Sequence, residues 1–191
     1  MPVPVRILLI SGSTRGESGN TAALRTLQAI APAPVTASLY QGLAALPAFN
    51  PDDDHDPLPP AVAGLRQQIA AAGAVLICSP EYAGLIPGSM KNLLDWTVGG
   101  TEMSGKPVAW INVAASGRGQ GAEQALATVL GYVGAAIVGA ACRRLPLAPG
   151  AAGPDGLIAD PAFRAGLAEV LRAITAAVPA RPADAGRDGP G

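Results

Sequence analysis

A chain of 191 residues is long enough to close one full core and short for two. Hydrophobic residues make up 49% of it and aromatic residues only 4%, so that core must be Ala, Val, Leu and Ile, which suits helices lying close on a sheet. A net charge of −1 argues against a nucleic-acid or anionic-membrane partner, no apolar run reaches the roughly 18 residues of a membrane span, and the N-terminus lacks a signal peptide's long apolar stretch.

The chain opens on the apolar run V-R-I-L-L-I, predicted as a strand over 5–11, and passes at once into I-S-G-S-T-R-G-E-S-G-N. Four hydroxyl side chains (Ser11, Ser13, Thr14, Ser18), three glycines and Arg15 are gathered where a buried strand turns into a helix expected over 20–31. A helix start offers unpaired N–H groups and the positive end of a dipole, so it seats phosphate; hydroxyls add donors and arginine a fixed charge. The loop lacks the G-K-[ST] ending of a nucleoside-triphosphate loop. It fits one terminal phosphate. The other reading of the serines, as ordinary helix caps, requires only a strand–helix turn.

A second strand is expected over 35–40, then a long loop over 41–60 carrying N-P-D-D-D-H-D-P. The single histidine, His55, sits there among Asp52, Asp53, Asp54 and Asp56, and is read as part of a solvated turn because metal ligands usually converge from separate elements. A helix over 61–72 and a strand over 74–79 lead into S-P-E-Y-A-G-L-I-P-G-S-M-K-N-L-L-D-W. Pro80, Glu81 and Tyr82 offer a flat wall and backbone N–H groups, which a planar heterocycle with polar edges requires. On the helix expected over 89–98, Lys91 and Asp95 are i,i+4 neighbours and read as an ion pair.

A strand over 108–114 delivers a third loop, A-A-S-G-R-G-Q, before a helix over 121–133. Gly117, Gly119 and Ala122 fit G-x-G-x-x-A, and Arg143 and Arg144 follow about twenty residues on, which mimics a dinucleotide fingerprint; such a fingerprint normally opens the sheet, where the stronger phosphate loop already stands. A strand over 136–142, a helix over 161–178 and a Pro/Gly-rich segment over 179–191, read as a disordered tail, complete the chain. No metal site is expected. Cys78 and Cys142 lack C-x-x-C spacing and form no disulfide framework, so a reducing cytoplasm is the expected setting. No G-x-S-x-G elbow accompanies the lone histidine, which argues against a serine hydrolase.

Regular β–α alternation with strands apolar on both faces predicts an α/β doubly wound parallel sheet of five strands, one domain over 1–178, with ligands beyond the carboxyl ends of the strands. The chain resembles the NADPH-dependent FMN reductases, flavodoxin-like proteins that include quinone, azo-dye and chromate reductases. The family's phosphate loop, close to G-S-x-R-x-x-S-x-N, is matched by Gly12, Ser13, Arg15, Ser18 and Asn20. Its S/T-P-E-Y-N-x-x-x-P-G-x-x-K-N-x-x-D-W is matched from Ser79 to Trp96, except that Ala83 stands where Asn is usual, which bears on fine tuning and substrate preference. The phrase L-P-A-F-N-P-D from Leu46 also looks like the family's.

The resemblance implies a flavodoxin-like strand order 2-1-3-4-5 and a homodimer or homotetramer with FMN near a subunit interface. Ser11, Ser13, Arg15, Ser18, Asn20 and Thr21 would hold the phosphate. Pro80, Glu81, Tyr82, Ala83 and Gly84 would line the isoalloxazine, chiefly through backbone, and Ser116, Gly117 and Gly119 would close another edge. NADPH or NADH would supply hydride and a small-molecule acceptor would take it in turn, with no side-chain acid or base demanded. The competing expectations are a non-enzymatic electron carrier of the flavodoxin kind, against which the near-zero net charge speaks, and a flavin-free binding module.

Overall fold

A computed structural model describes residues 4–179. The tail expected over 179–191 lies, from 180 on, outside the described residues. The elements in chain order are β1 (Val5–Ser11), α1 (Gly19–Ile30), β2 (Val35–Leu39), α2 (Pro60–Ala71), β3 (Ala74–Cys78), α3 (Gly88–Asp95), β4 (Pro107–Asn112), α4 (Gln120–Tyr132), β5 (Ala136–Ile137), β6 (Arg143–Arg144) and α5 (Pro161–Ala176). All strand pairs are parallel, in the order β2-β1-β3-β4-β5, with β6 also on β4. That is the expected α/β architecture and strand order.

Alternation along each strand feeds two cores. Leu8 and Ile10 of β1, Val75 and Ile77 of β3, and Val108 of β4 pack against α2, α3 and α4 through Leu65, Met90, Leu93 and Leu126. Ile7, Leu9, Leu76, Cys78 and Ile111 face the other way, against α1 and α5 through Leu24, Leu27, Leu167 and Ile174. A strand buried on both faces needs no polar alternation, so its sequence reads as a continuous apolar run.

The fifth strand departs from expectation. In place of one strand over 136–142 there are two short ones, separated by a 3₁₀ turn at Gly139–Ala141. Ile137 pairs with Val108 and Arg143 with Ile111, so six steps of chain lie beside three of β4. The surplus folds inward and puts Ala141 fully inside the α1/α5 core, a turn that small residues permit. Leu145 N–H then returns to the Asn112 carbonyl at 2.8 Å. Helix α3 also ends earlier than expected, at Asp95, where the Thr97 hydroxyl donates to the Leu94 carbonyl at 2.7 Å and closes the turn.

Residues 41–59 are not a free loop. Asn92 Nδ2 and Trp96 Nε1 of the K-N-x-x-D-W segment both donate to the Pro47 carbonyl at 2.8 Å, Phe49 N–H donates to Asn92 Oδ1 at 2.7 Å, and the Phe49 ring meets Trp96 edge-on at 5.0 Å. Asp54 corrects the solvated-turn reading for one residue of its run. Its side chain is 9% exposed and pairs with Arg66 at 2.6 Å, while Arg66 Nε donates to the Trp96 carbonyl at 2.9 Å. His55 is exposed and bonds only the backbone beside it.

Candidate functional site

Three loops meet at the carboxyl edge of the sheet: residues 12–18 after β1, 79–87 after β3 and 113–119 after β4. Neighbouring strands deliver them together, which is where open α/β sheets bind ligands. The first two touch directly. Gly12 N–H donates to the Cys78 carbonyl at 2.8 Å, and a Cβ at Gly12 would fall 2.3 Å from Ser79 Oγ.

In the first loop Ser11 and Thr21 form a buried floor, their hydroxyls 2.8 Å apart. Ser11 Oγ accepts from Ser13 N–H at 3.3 Å and Ser13 Oγ accepts from Arg15 N–H at 3.3 Å, so the loop is wound on its own hydroxyls. Arg15 is exposed, and its guanidinium has no partner among the described residues. Ser18 stands at the N-cap of α1 but its hydroxyl makes no capping bond. Helix-cap duty therefore does not account for it. By contrast α5 is capped by Asp160, whose carboxylate accepts from Phe163 N–H at 3.0 Å. The start of α1 keeps its N–H groups, the Ser18 hydroxyl and Arg15 at one place, and this donor set fits a phosphate. Beside it a cavity of about 800 Å³ is lined by Arg15, Ser18, Thr21 and Arg25 and walled by residues 147–156; it touches the third loop only at Val113 and does not reach the second.

The second loop is fixed by a two-residue hairpin. Tyr82 N–H donates to the Leu85 carbonyl at 2.8 Å and Leu85 N–H donates back at 3.1 Å, with Ala83 at φ 51° and Gly84 at φ 80° between them. Two successive positive φ values make a type I′ turn. Tyr82 and Leu85 are left exposed, at 50% and 59%. Glu81 reaches the start of α4 instead of solvent: its Oε2 accepts from Gly121 N–H at 2.8 Å and Ala122 N–H at 3.2 Å, capping α4 from outside its own chain segment. The approach is so close that a Cβ on Gly121 would lie 1.9 Å from the Gly84 carbonyl oxygen.

The third loop hangs on Asn112. Its Oδ1 accepts from Ala114 N–H at 2.9 Å, and its Nδ2 donates to the Gly119 carbonyl at 3.2 Å and Glu123 Oε1 at 2.8 Å. Arg144 pairs with Glu123 and donates to the Arg118 carbonyl at 3.4 Å, while Arg143 pairs with Glu169 at 3.4 Å. Ser116 and Gly117 are exposed on the rim, and Gly119 is buried at the helix start. The Gly117–Ala122 spacing thus serves a turn braced by side chains. Lys91 and Asp95 form the expected ion pair at 2.6 Å.

The structure brings Ser11, Ser13, Arg15, Ser18, Asn20 and Thr21 together at one loop, and joins Glu81 to the α4 start beside Gly119. Arg144, read in the sequence only as part of a dinucleotide-like spacing, braces Glu123 instead. Asn112 and Glu123, the other braces of the third loop, escaped the sequence reading because polar residues at a strand end and in a first helical turn carry no motif. The same is true of Cys78, whose thiol donates to Asn20 Oδ1 at 3.3 Å.

The family model for NADPH-dependent FMN reductase matches residues 5–148. An NAD(P)H-dependent FMN reductase of Pseudomonas aeruginosa is 37% identical over 113 residues, 58% of this chain and 60% of the relative. A quinone reductase of Escherichia coli is 33% identical over 111 residues, 56% of this chain and 59% of the relative. The matched stretch thus spans about 60% of the length of these relatives. Among solved structures, a flavoenzyme NAD(P)H:(acceptor) oxidoreductase of Paracoccus denitrificans superposes with a TM-score of 0.72 at 26% identity, covering 90% of this chain and 98% of that one. With a strand order, a hydroxyl-rich first loop and a P-E-Y hairpin that all agree with a family match across three quarters of its length, the chain belongs to the NADPH-dependent FMN reductase family.

Proposed function

We propose that this protein is an FMN-containing reductase that draws hydride from NADPH or NADH and delivers it to a small-molecule acceptor of the quinone type. The observation that carries the reading is the open start of α1, where Ser18 leaves its cap unmade and Arg15 stands unpaired beside it. FMN, when bound, supplies a ring that accepts hydride from a nicotinamide and passes electrons on.

The chain's own residues bind and orient. Ser13, Arg15, Ser18 and the first N–H groups of α1 hold the phosphate, with Ser11 and Thr21 as the floor beneath. The 82–85 hairpin and the rim at Ser116 and Gly117 border the ring, and Glu81 holds the two loops in a fixed relation through its bonds to α4. No side chain has to move a proton. The reading extends to a cytoplasmic homodimer or homotetramer, for which the family resemblance is the support. No helix of the described residues is long and apolar enough to cross a membrane.

The test is to purify the protein, release its cofactor by heat and identify it, then follow NADPH oxidation anaerobically against a panel of acceptors. Released FMN with turnover of quinones is the expected result. FAD, or a protein that stays colourless after incubation with excess FMN, refutes the reading; bound FMN that NADPH and NADH both fail to reduce makes the protein an electron carrier.

A further inference from the structure

Cys78 ends β3 directly below the phosphate loop. It is fully buried in the α1/α5 core, and its register partner on the neighbouring strand is Ser11, the first hydroxyl of that loop. Its Sγ–H donates to Asn20 Oδ1 at 3.3 Å, across 58 residues of sequence. Asn20, in the first turn of α1, is only partly buried, and its Nδ2 has no acceptor among the described residues.

An asparagine amide can present either its oxygen or its NH₂ group to a ligand, and a half-turn exchanges the two. What settles the choice is the partner on the inner side. A thiol held as a donor draws the carbonyl oxygen inward and leaves the NH₂ group outward. A phosphate offers only acceptors, so the outward NH₂ makes a hydrogen bond where an outward carbonyl would be repelled. The nearby hydroxyls of Ser11 and Thr21 bond each other, and the hydrogen bond to the Asn20 side chain comes from the thiol. Burial pushes the Cys78 thiol far up from its ordinary range, so it stays protonated and stays a donor.

We infer that Cys78 is a positioning residue for the cofactor's phosphate: its thiol fixes the Asn20 amide with the nitrogen toward the ligand. The inference rests on the FMN reading above and adds to it a residue that lies beneath the loop and never meets the ligand.

The test titrates apoprotein with FMN and with riboflavin, which lacks the phosphate. Cys78→Val keeps a similar volume and removes the donor; Cys78→Ala is a second donor-free variant should Val disturb the fold, and Cys78→Ser restores a donor. Losing a weak neutral hydrogen bond that orients a charge-assisted one should weaken FMN about three- to tenfold in the donor-free variants. Riboflavin should change less than about twofold, and Cys78→Ser should stay within about twofold for both ligands. In an Asn20→Ala background Cys78→Val should add no FMN-selective loss, since the coupled pair is already broken. Equal losses for the two flavins, no loss, or an undiminished loss in the Asn20→Ala background overturns the inference. If wild-type apoprotein binds neither flavin, the FMN reading itself has failed, and the ¹⁵N side-chain amide resonances of Asn20 decide the remainder. A shift between wild type and Cys78→Val supports the thiol's hold on the amide; an unchanged pair of resonances overturns it.

Discussion

Ala83 occupies a backbone position better suited to another residue. Its φ of 51° is followed by 80° at Gly84, the type I′ pattern in which Asn-Gly is favoured because Asn tolerates the left-handed region and Ala does not. The departure from the family's P-E-Y-N at this position therefore bears on backbone strain in the hairpin. Ala83→Asn should stabilise the protein by about 0.5–1 kcal/mol, seen as a higher urea midpoint at unchanged slope; a lower midpoint would place the strain elsewhere. On the proposed function, Arg15 would act by charge. Arg15→Ala should cost FMN affinity about 1.5–3 kcal/mol, roughly one to two decades, with little change for riboflavin, and equal losses would mean the guanidinium does not touch phosphate. Cys78 contributes a pH dependence of its own. Burial raises its pKa, so folding excludes the thiolate; the stability this group contributes is complete below its unfolded value near 9 and is lost as pH rises beyond it. Urea midpoints of wild type and Cys78→Val should therefore diverge above about pH 9, the wild type falling faster. Parallel curves would show that the thiol ionises freely in the folded state.

Among the elements, α4 illustrates how a helix start can be satisfied from a distance. Its N-cap is Gly119, which has no side chain to offer, and the missing acceptor comes from Glu81, 40 residues before Gly121 in the chain. A carboxylate there meets both the orphan N–H groups and the positive end of the dipole. Glu81→Ala should cost about 1–2 kcal/mol in urea denaturation, and Glu81→Gln should recover part of it because an amide oxygen still accepts. Because Glu81 ties the second loop to α4, its removal should weaken FMN and riboflavin alike, the opposite signature to Arg15→Ala. Elements with a strong local pattern were legible in the sequence: β1 is matched residue for residue, and α1, α2, α4 and α5 fall within two residues of expectation. The break between β5 and β6 was not, because A-I-V-G-A-A-C reads as one apolar run and only the demand for Ala141 beneath α5 divides it.

On the scale of the whole molecule, the parallel sheet and the site's edge followed from alternation and from three polar loops that each follow a strand, and the strand order from the family resemblance. The braces that hold those loops did not. Glu81 to α4, Glu123 to Asn112 and Arg144, and Asn92 and Trp96 to Pro47 all join residues on separate elements, and pair formation between elements leaves no periodic trace. These braces also limit how the site can work. The second loop is bound through Glu81 to the start of α4, just past the third loop, which holds the two loops close. Two of the arginines that could build a separate donor pocket are engaged, Arg143 with Glu169 and Arg144 with Glu123 and the Arg118 carbonyl. On the proposed function, donor and acceptor would share one opening and use it in turn, each waiting for the other's product to leave. Steady-state kinetics with NADPH and a quinone should accordingly give parallel double-reciprocal lines across quinone concentrations. Intersecting lines would mean that both substrates sit on the protein together. The side chain to remove next would be Arg118, which stands exposed on the third loop with no side-chain partner among the described residues.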